Sequence, residues 1–128
     1  MKIDHIALWT SDLEKLRKFY HDYFGMKAGE KYENRQKGFS SYFLSFENGA
    51  RIEIMKTENN SGDSDRKSFS VGLAHFAISV GSVDAVNNLT ERLKNDGYKI
   101  IGEPRTTGDG YYESVFLDPD GNTIEITG

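Results

Sequence analysis

The chain has 128 residues, of which 37% are hydrophobic and 12% aromatic, the size of one domain and apolar enough to pack a core rather than stay disordered. Its formal charge is −4 and it has no basic run longer than Arg66 with Lys67, which excludes nucleic acid and anionic membranes as expected partners, since both need a cationic face. It has no cysteine, so disulfides, thiolate metal sites and thiol nucleophiles are excluded, and any metal must be held by nitrogen and oxygen.

The first residues, MKIDHIALWTSD, meet the acidic Asp4 at once and show neither a long apolar core nor a small-residue cleavage site. A secretory signal is therefore not expected. No stretch approaches the roughly 20 apolar residues that span a bilayer, and the cytoplasm is the expected location. Residues 3–9 alternate and predict a strand. A helix follows, with Ser11 as N-cap and Glu14 three residues on, then Leu13, Leu16, Tyr20 and Tyr23 at helical spacing and Gly25 as the stop. A short edge strand and a hairpin turning at Asn48 and Gly49 complete the first half. Residues 56–68 are polar and turn-rich, and predict a connecting loop.

The second half repeats the first. DHIALWTSDLEKLRKFYHDYFGMK is echoed by AHFAISVGSVDAVNNLTERLKNDGYK, and FENGARIEIM by DPDGNTIEIT. Residues 73–80 predict a strand, and Ser82 caps a helix with the stripe Val86, Leu89 and Leu93 and the stop Gly97. Residues 102–112 predict a loop, and the last hairpin turns at Asp118, Pro119, Asp120 and Gly121. The fold class expected is α+β: two tandem βαβββ modules (1–56 and 71–128, joined by a linker over 57–70) in one domain, with curved mixed sheets around a trough.

Alternation places His5, Ala7 and Trp9 on one face of the opening strand, with Ile6 and Leu8 on the other. It likewise sets Glu53 opposite Ile52 and Ile54, His75 opposite Phe76 and Ile78, and Glu125 opposite Ile124 and Ile126. Helices would pack on the Ile and Leu faces. The other faces then carry two imidazoles and two carboxylates in repeated slots, the donor number and type that a borderline divalent metal accepts. A wet sheet face carries isolated His and Glu without function, but here the repeat doubles both. His21, on the first helix, has no counterpart and reads as a surface residue. Arg105, with Thr106 and Thr107, could contact a substrate from the 102–112 loop, and Trp9 and Tyr111 could wall a pocket.

DHIALWTSDLEKLRKFYHDYFGMK, FENGARIEIM, GLAHFAISV and FLDPDGNTIEIT together resemble the vicinal oxygen chelate superfamily, which holds glyoxalase I, methylmalonyl-CoA epimerase, extradiol dioxygenases and the fosfomycin and bleomycin resistance proteins. His5, Glu53, His75 and Glu125 look like the glyoxalase I ligand pattern. The resemblance implies an octahedral Ni, Zn, Co or Mn site, with Glu125 as first choice for the catalytic base and Glu53 as second. It implies a lyase or isomerase that takes a small 2-oxoaldehyde-derived or α-hydroxycarbonyl substrate, such as a thiol hemithioacetal, through a metal-stabilised enediolate, and a homodimer as the assembly. Trp9 stands where bacterial glyoxalase I resembles Arg, and Thr57 where it resembles Asn, so the metal chemistry is better matched than glutathione as cosubstrate. An acyl-CoA epimerase, disfavoured by Glu53 where that family resembles Gln, and a binding or resistance protein of the same fold are the alternatives.

Overall fold

The computed structural model describes residues 2–58, 72–108 and 110–128, in two compact units, Met1–Ser64 and Asp65–Gly128. Most of the loop expected over 56–68 lies outside the described residues, and its first two positions belong to a strand.

The first unit runs β1 (His5–Trp9), α1 (Leu13–Phe24), β2 (Lys27–Ala28), β3 (Tyr32–Asn34), a 3₁₀ turn (Arg35–Lys37), β4 (Phe39–Ser45) and β5 (Arg51–Thr57). Its sheet is mixed, in the order β1-β5-β4-β2, with β3 also on β4 and β1 parallel to β5. The single edge strand expected here is broken in two. Ala28 faces Leu44 and Tyr32 faces Ser41, so four steps along the edge match three along β4, and the extra residue interrupts the ladder.

The second unit is a βαβββ module: β6 (Phe76–Ser79), α2 (Val83–Asn95), β7 (Ile100–Thr106), β8 (Tyr112–Leu117) and β9 (Thr123–Thr127). The sheet order is β6-β9-β8-β7, with β6 parallel to β9. The fold is thus α+β, with two helices and two mixed sheets. Both opening strands are shorter than the alternation suggests, and His75 stands just ahead of β6, because pairing with β9 begins only at Phe76 opposite Ile124.

The segment expected as a loop over 102–112 is largely strand. Gly102 and Pro104 hide it, but β7 is an edge strand, where a proline costs no ladder bond, and it holds β8 through two register shifts. Beyond Thr106 the strand ends, and Thr107 N–H donates to Tyr111 O at 2.8 Å.

Each helix covers one sheet face. Leu13, Leu16, Phe19 and Tyr20 of α1 are buried with Leu44, Ile52 and Ile54, and Val86 and Leu93 of α2 with Phe116, Ile124 and Ile126. Burying each aliphatic side chain contributes about 1.5–3 kcal/mol. Phe19 replaces half-buried Tyr23 in the first stripe, and Thr90 replaces Leu89 in the second. The cap of α1 is Asp12 rather than Ser11: its carboxylate accepts from Lys15 N–H at 3.0 Å, while its own N–H donates to Thr10 Oγ1, so Glu14 lies outside a capping box. Gly25 ends α1 at φ 69°, the left-handed conformation that side chains disfavour, and Ser82 caps α2 as expected. Among the described residues no helix is long and apolar enough to cross a membrane.

The caps Asp12 and Ser82 are as far apart in sequence as His5 and His75, whereas Gly25 and Gly97, just past the helices, are as far apart as Glu53 and Glu125. The two extra residues of the second module therefore sit at the C-terminal end of its helix.

Candidate metal centre

The strand register repeats a diagonal His and Glu pair in both units. In the first, Ala7 pairs with Glu53, and His5, two residues before Ala7, shares its face. His5 Nε2 lies 3.9 Å from Glu53 Oε2. In the second, Ala77 pairs with Glu125, and His75 Nε2 lies 3.5 Å from Glu125 Oε2. Both glutamates are half-buried between apolar neighbours, and both imidazoles are more exposed.

Around His5 the first unit builds a support. Nδ1 donates to Asp4 Oδ2 at 2.9 Å, and the Arg51 guanidinium donates to the same oxygen. These contacts hold the Asp4 carboxyl below the usual carboxylate range, the His5 bond being the larger cause. Arg51 also lies over the Phe43 ring at 4.3 Å, and that ring meets His5 edge-on at 5.3 Å. Further along the same face Trp9 and Tyr32 each pack edge-on against Phe39, at 6.3 and 6.0 Å.

The second unit supports its carboxylate instead. Glu113 of β8 is buried and sits diagonally beside Glu125. Arg105, opposite Glu113 on β7, donates from Nη2 to Glu113 Oε1 at 3.1 Å. Burial first, and then the charge and hydrogen bond of Glu113, push the Glu125 carboxyl above its ordinary value, against the pull of His75 and Arg105. Gly102 makes room for this arrangement: a Cβ there would lie 2.9 Å from Arg105 Nη1 and 3.2 Å from Val115 Cβ.

Asp4 and Glu113 were not singled out in the sequence. Asp4 precedes a candidate ligand directly, and Glu113 is an ionisable residue inside the otherwise strand-like YESVFL, at the slot that Ser41 fills in the first unit. Arg105 is a strand residue paired with Glu113 rather than a loop cation, and Trp9 and Tyr111 are both exposed. His21 joins Met26 O through Nδ1 at 3.1 Å, at the exit of α1. A cleft of about 620 Å³ in the first unit lies apart from His5 and Glu53, among Asp12, Lys31, Asn34, Arg35 and Lys56, and its mixed charges select no one ligand class.

Two donors about 2.1 Å from one ion lie about 3 to 3.4 Å apart, so the His75 and Glu125 pair at 3.5 Å stands close to that spacing, whereas the His5 and Glu53 pair at 3.9 Å would have to draw together to share an ion. The nitrogen and oxygen set fits a divalent metal. Among the described residues no group of three or more His, Asp or Glu side chains is arranged to hold one metal ion, so each unit offers a pair.

A family model described as the Glyoxalase/Bleomycin resistance protein/Dioxygenase superfamily matches residues 2–126. A lactoylglutathione lyase of Haemophilus influenzae is 31% identical over 128 residues, covering 98% of this chain and 91% of that protein. A lactoylglutathione lyase of Arabidopsis thaliana is 30% identical over 95% of this chain, which spans only 42% of the plant protein's length. The crystal structure of glyoxalase I from Zea mays superposes with a TM-score of 0.77 at 27% identity, over 98% of this chain and 44% of the maize chain. With the repeated βαβ framework and the paired His and Glu slots, these matches establish that the chain belongs to the Glyoxalase/Bleomycin resistance protein/Dioxygenase superfamily.

Proposed function

We propose that this protein is a divalent-metal-dependent lyase or isomerase that moves a proton between adjacent carbons of a small 2-oxoaldehyde-derived substrate, such as a thiol hemithioacetal. The observation that carries the reading is the same diagonal His and Glu pair, Nε2 facing carboxylate, in both units. The names of the Haemophilus and Arabidopsis relatives support the lyase class. His5, Glu53, His75 and Glu125 would hold Ni, Zn, Co or Mn, with the four donors supplied by one chain or by two copies in a homodimer. When bound, such a metal supplies Lewis acidity that draws electron density from the adjacent oxygens of a substrate.

Glu125 takes the base role. In the metal-free chain its carboxyl is raised by burial and by Glu113 beside it, and a carboxylate so raised is a stronger base. Glu125 removes the proton from one substrate carbon and delivers it to the next, so the step is an internal redox isomerisation that needs no other oxidant or reductant. Glu53 is the second carboxylate able to do so. The Trp9, Phe39 and Tyr32 rings on the His5 face suit an apolar substituent better than an anionic glutathione arm.

The test follows turnover of methylglyoxal mixed with several thiols in D₂O, using metal-loaded native protein and Glu125→Gln. The reading expects turnover with partial deuterium entry in the native protein and a loss of about 10²-fold or more in the variant. Unchanged turnover in Glu125→Gln would remove Glu125 from the base role.

A further inference from the structure

We propose that Asp4, braced by Arg51, is the positioning residue of the metal centre: it fixes His5 as the Nδ1-protonated tautomer and so aims the free Nε2 lone pair at the metal. The inference rests on the reading of His5 as a ligand and adds a residue to it.

The argument starts from what a carboxylate can do. An ionised carboxylate only accepts, so the 2.9 Å contact between Asp4 Oδ2 and His5 Nδ1 requires the proton on Nδ1. A neutral imidazole has one N–H, and its Nε2 is then a bare lone pair, which is the form a metal binds. Nε2 is the atom that faces Glu53.

Asp4 is itself held. Arg51 N–H donates to Asp4 O at 2.9 Å, and the Arg51 side chain returns to Asp4 Oδ2, so the carboxylate is fixed at both its backbone and its side chain. Arg51 is in turn seated on Phe43, whose ring edges against His5. Four side chains thus lock one imbalance into the ring: acceptor on one nitrogen, open space for a ligand bond on the other. A surface ion pair serving only strand pairing would have no need to include the imidazole.

The second module lacks the device. Ala74 occupies the slot of Asp4 and offers no acceptor side chain, and Thr123 occupies the slot toward Glu125 that Arg51 holds toward Glu53. His5 is therefore the pre-aimed ligand and His75 the one that must be oriented on binding. Loss of such a carboxylate behind a ligating histidine weakens metal binding about 10–100-fold.

The experiment has two arms. The first is ¹⁵N NMR of the imidazoles in the metal-free full-length chain, at a pH where they are neutral. His5 is expected as the Nδ1–H tautomer in the native protein and as mainly Nε2–H in Asp4→Ala. A native His5 protonated on Nε2 would overturn the proposal without any variant. The second arm is calorimetric titration with Zn²⁺ of the native chain, His5→Ala, Asp4→Ala and Asp4→Asn, the last keeping an acceptor oxygen for Nδ1–H. Asp4→Ala should bind 10–100-fold more weakly and Asp4→Asn should recover most of that loss. Weak binding in His5→Ala with native affinity in Asp4→Ala would sink the positioning role and leave the ligand reading standing. Native affinity in His5→Ala would remove the ligand reading, and the positioning role with it.

Discussion

Arg105 Nη2 donates to Glu113 Oε1 at 3.1 Å, and the carboxyl so engaged is the diagonal neighbour of Glu125 across β8 and β9. Arg105 thus stands beside the neighbour of the carboxyl proposed as the base, and its charge opposes the rise at Glu125.

A change at Glu113 should therefore be read at Glu125. In the metal-free protein Glu113→Gln removes a like charge, and the Glu125 carboxyl should titrate lower than in the native chain, though still above its ordinary value because burial remains. A raised folded-state value means that the contribution of Glu125 to stability is fully present below its unfolded value and is lost as pH rises through the folded one. Native stability should fall as pH rises above the ordinary carboxyl range, and Glu113→Gln should flatten the fall. Carboxyl ¹³C titration with denaturation across the same pH range checks both, and an unmoved Glu125 would contradict the coupling.

Glu14 behaves in the opposite sense. Tyr42 Oη donates to Glu14 at 2.8 Å and Arg17 donates at 2.9 Å, and the two hold its carboxyl below the ordinary value, Tyr42 foremost. A depressed value contributes stability that is present above the unfolded value and lost as pH falls through the folded one. Glu14→Gln should be slightly less stable than the native chain at neutral pH and indistinguishable from it in strong acid. A difference that persists in acid would mean that packing, not charge, ties α1 to β4.

The buried hydroxyls of the second unit give a stability test independent of the metal. Thr90 Oγ1 donates to Val86 O at 2.7 Å, so in its 2.6 Å contact with Ser114 Oγ the serine must be the donor. Thr90→Val leaves that buried serine proton without its acceptor and should cost about 1–3 kcal/mol. Adding Ser114→Ala removes the orphan and should recover much of the loss, as chemical denaturation of the single and double variants would measure.

The sequence carried the helices, the Ser82 cap and the paired His and Glu slots, because these repeat and because burial enforces the alternation of Ile52, Ile54, Ile124 and Ile126 against Glu53 and Glu125. It hid β7, whose Gly102 and Pro104 resemble loop residues and whose register shifts break alternation; these are features that an edge strand tolerates and a central one does not. It also hid the broken edge strand of the first unit, since one added residue leaves no compositional mark. Asp4 and Glu113 escaped for a different reason. The repeat that exposed the His and Glu slots averages away whatever the modules do not share, and Ala74 and Ser41 stand in the corresponding slots.

The most direct test is the metal content of the purified chain by elemental analysis, native against His5→Ala and His75→Ala after identical reloading and dialysis. The expected result is about one divalent ion per native chain and a clear loss in each variant, because each unit supplies a required donor. No retained metal in the native protein, or equal metal in all three, would contradict the proposed centre and leave a ligand-binding member of the same superfamily.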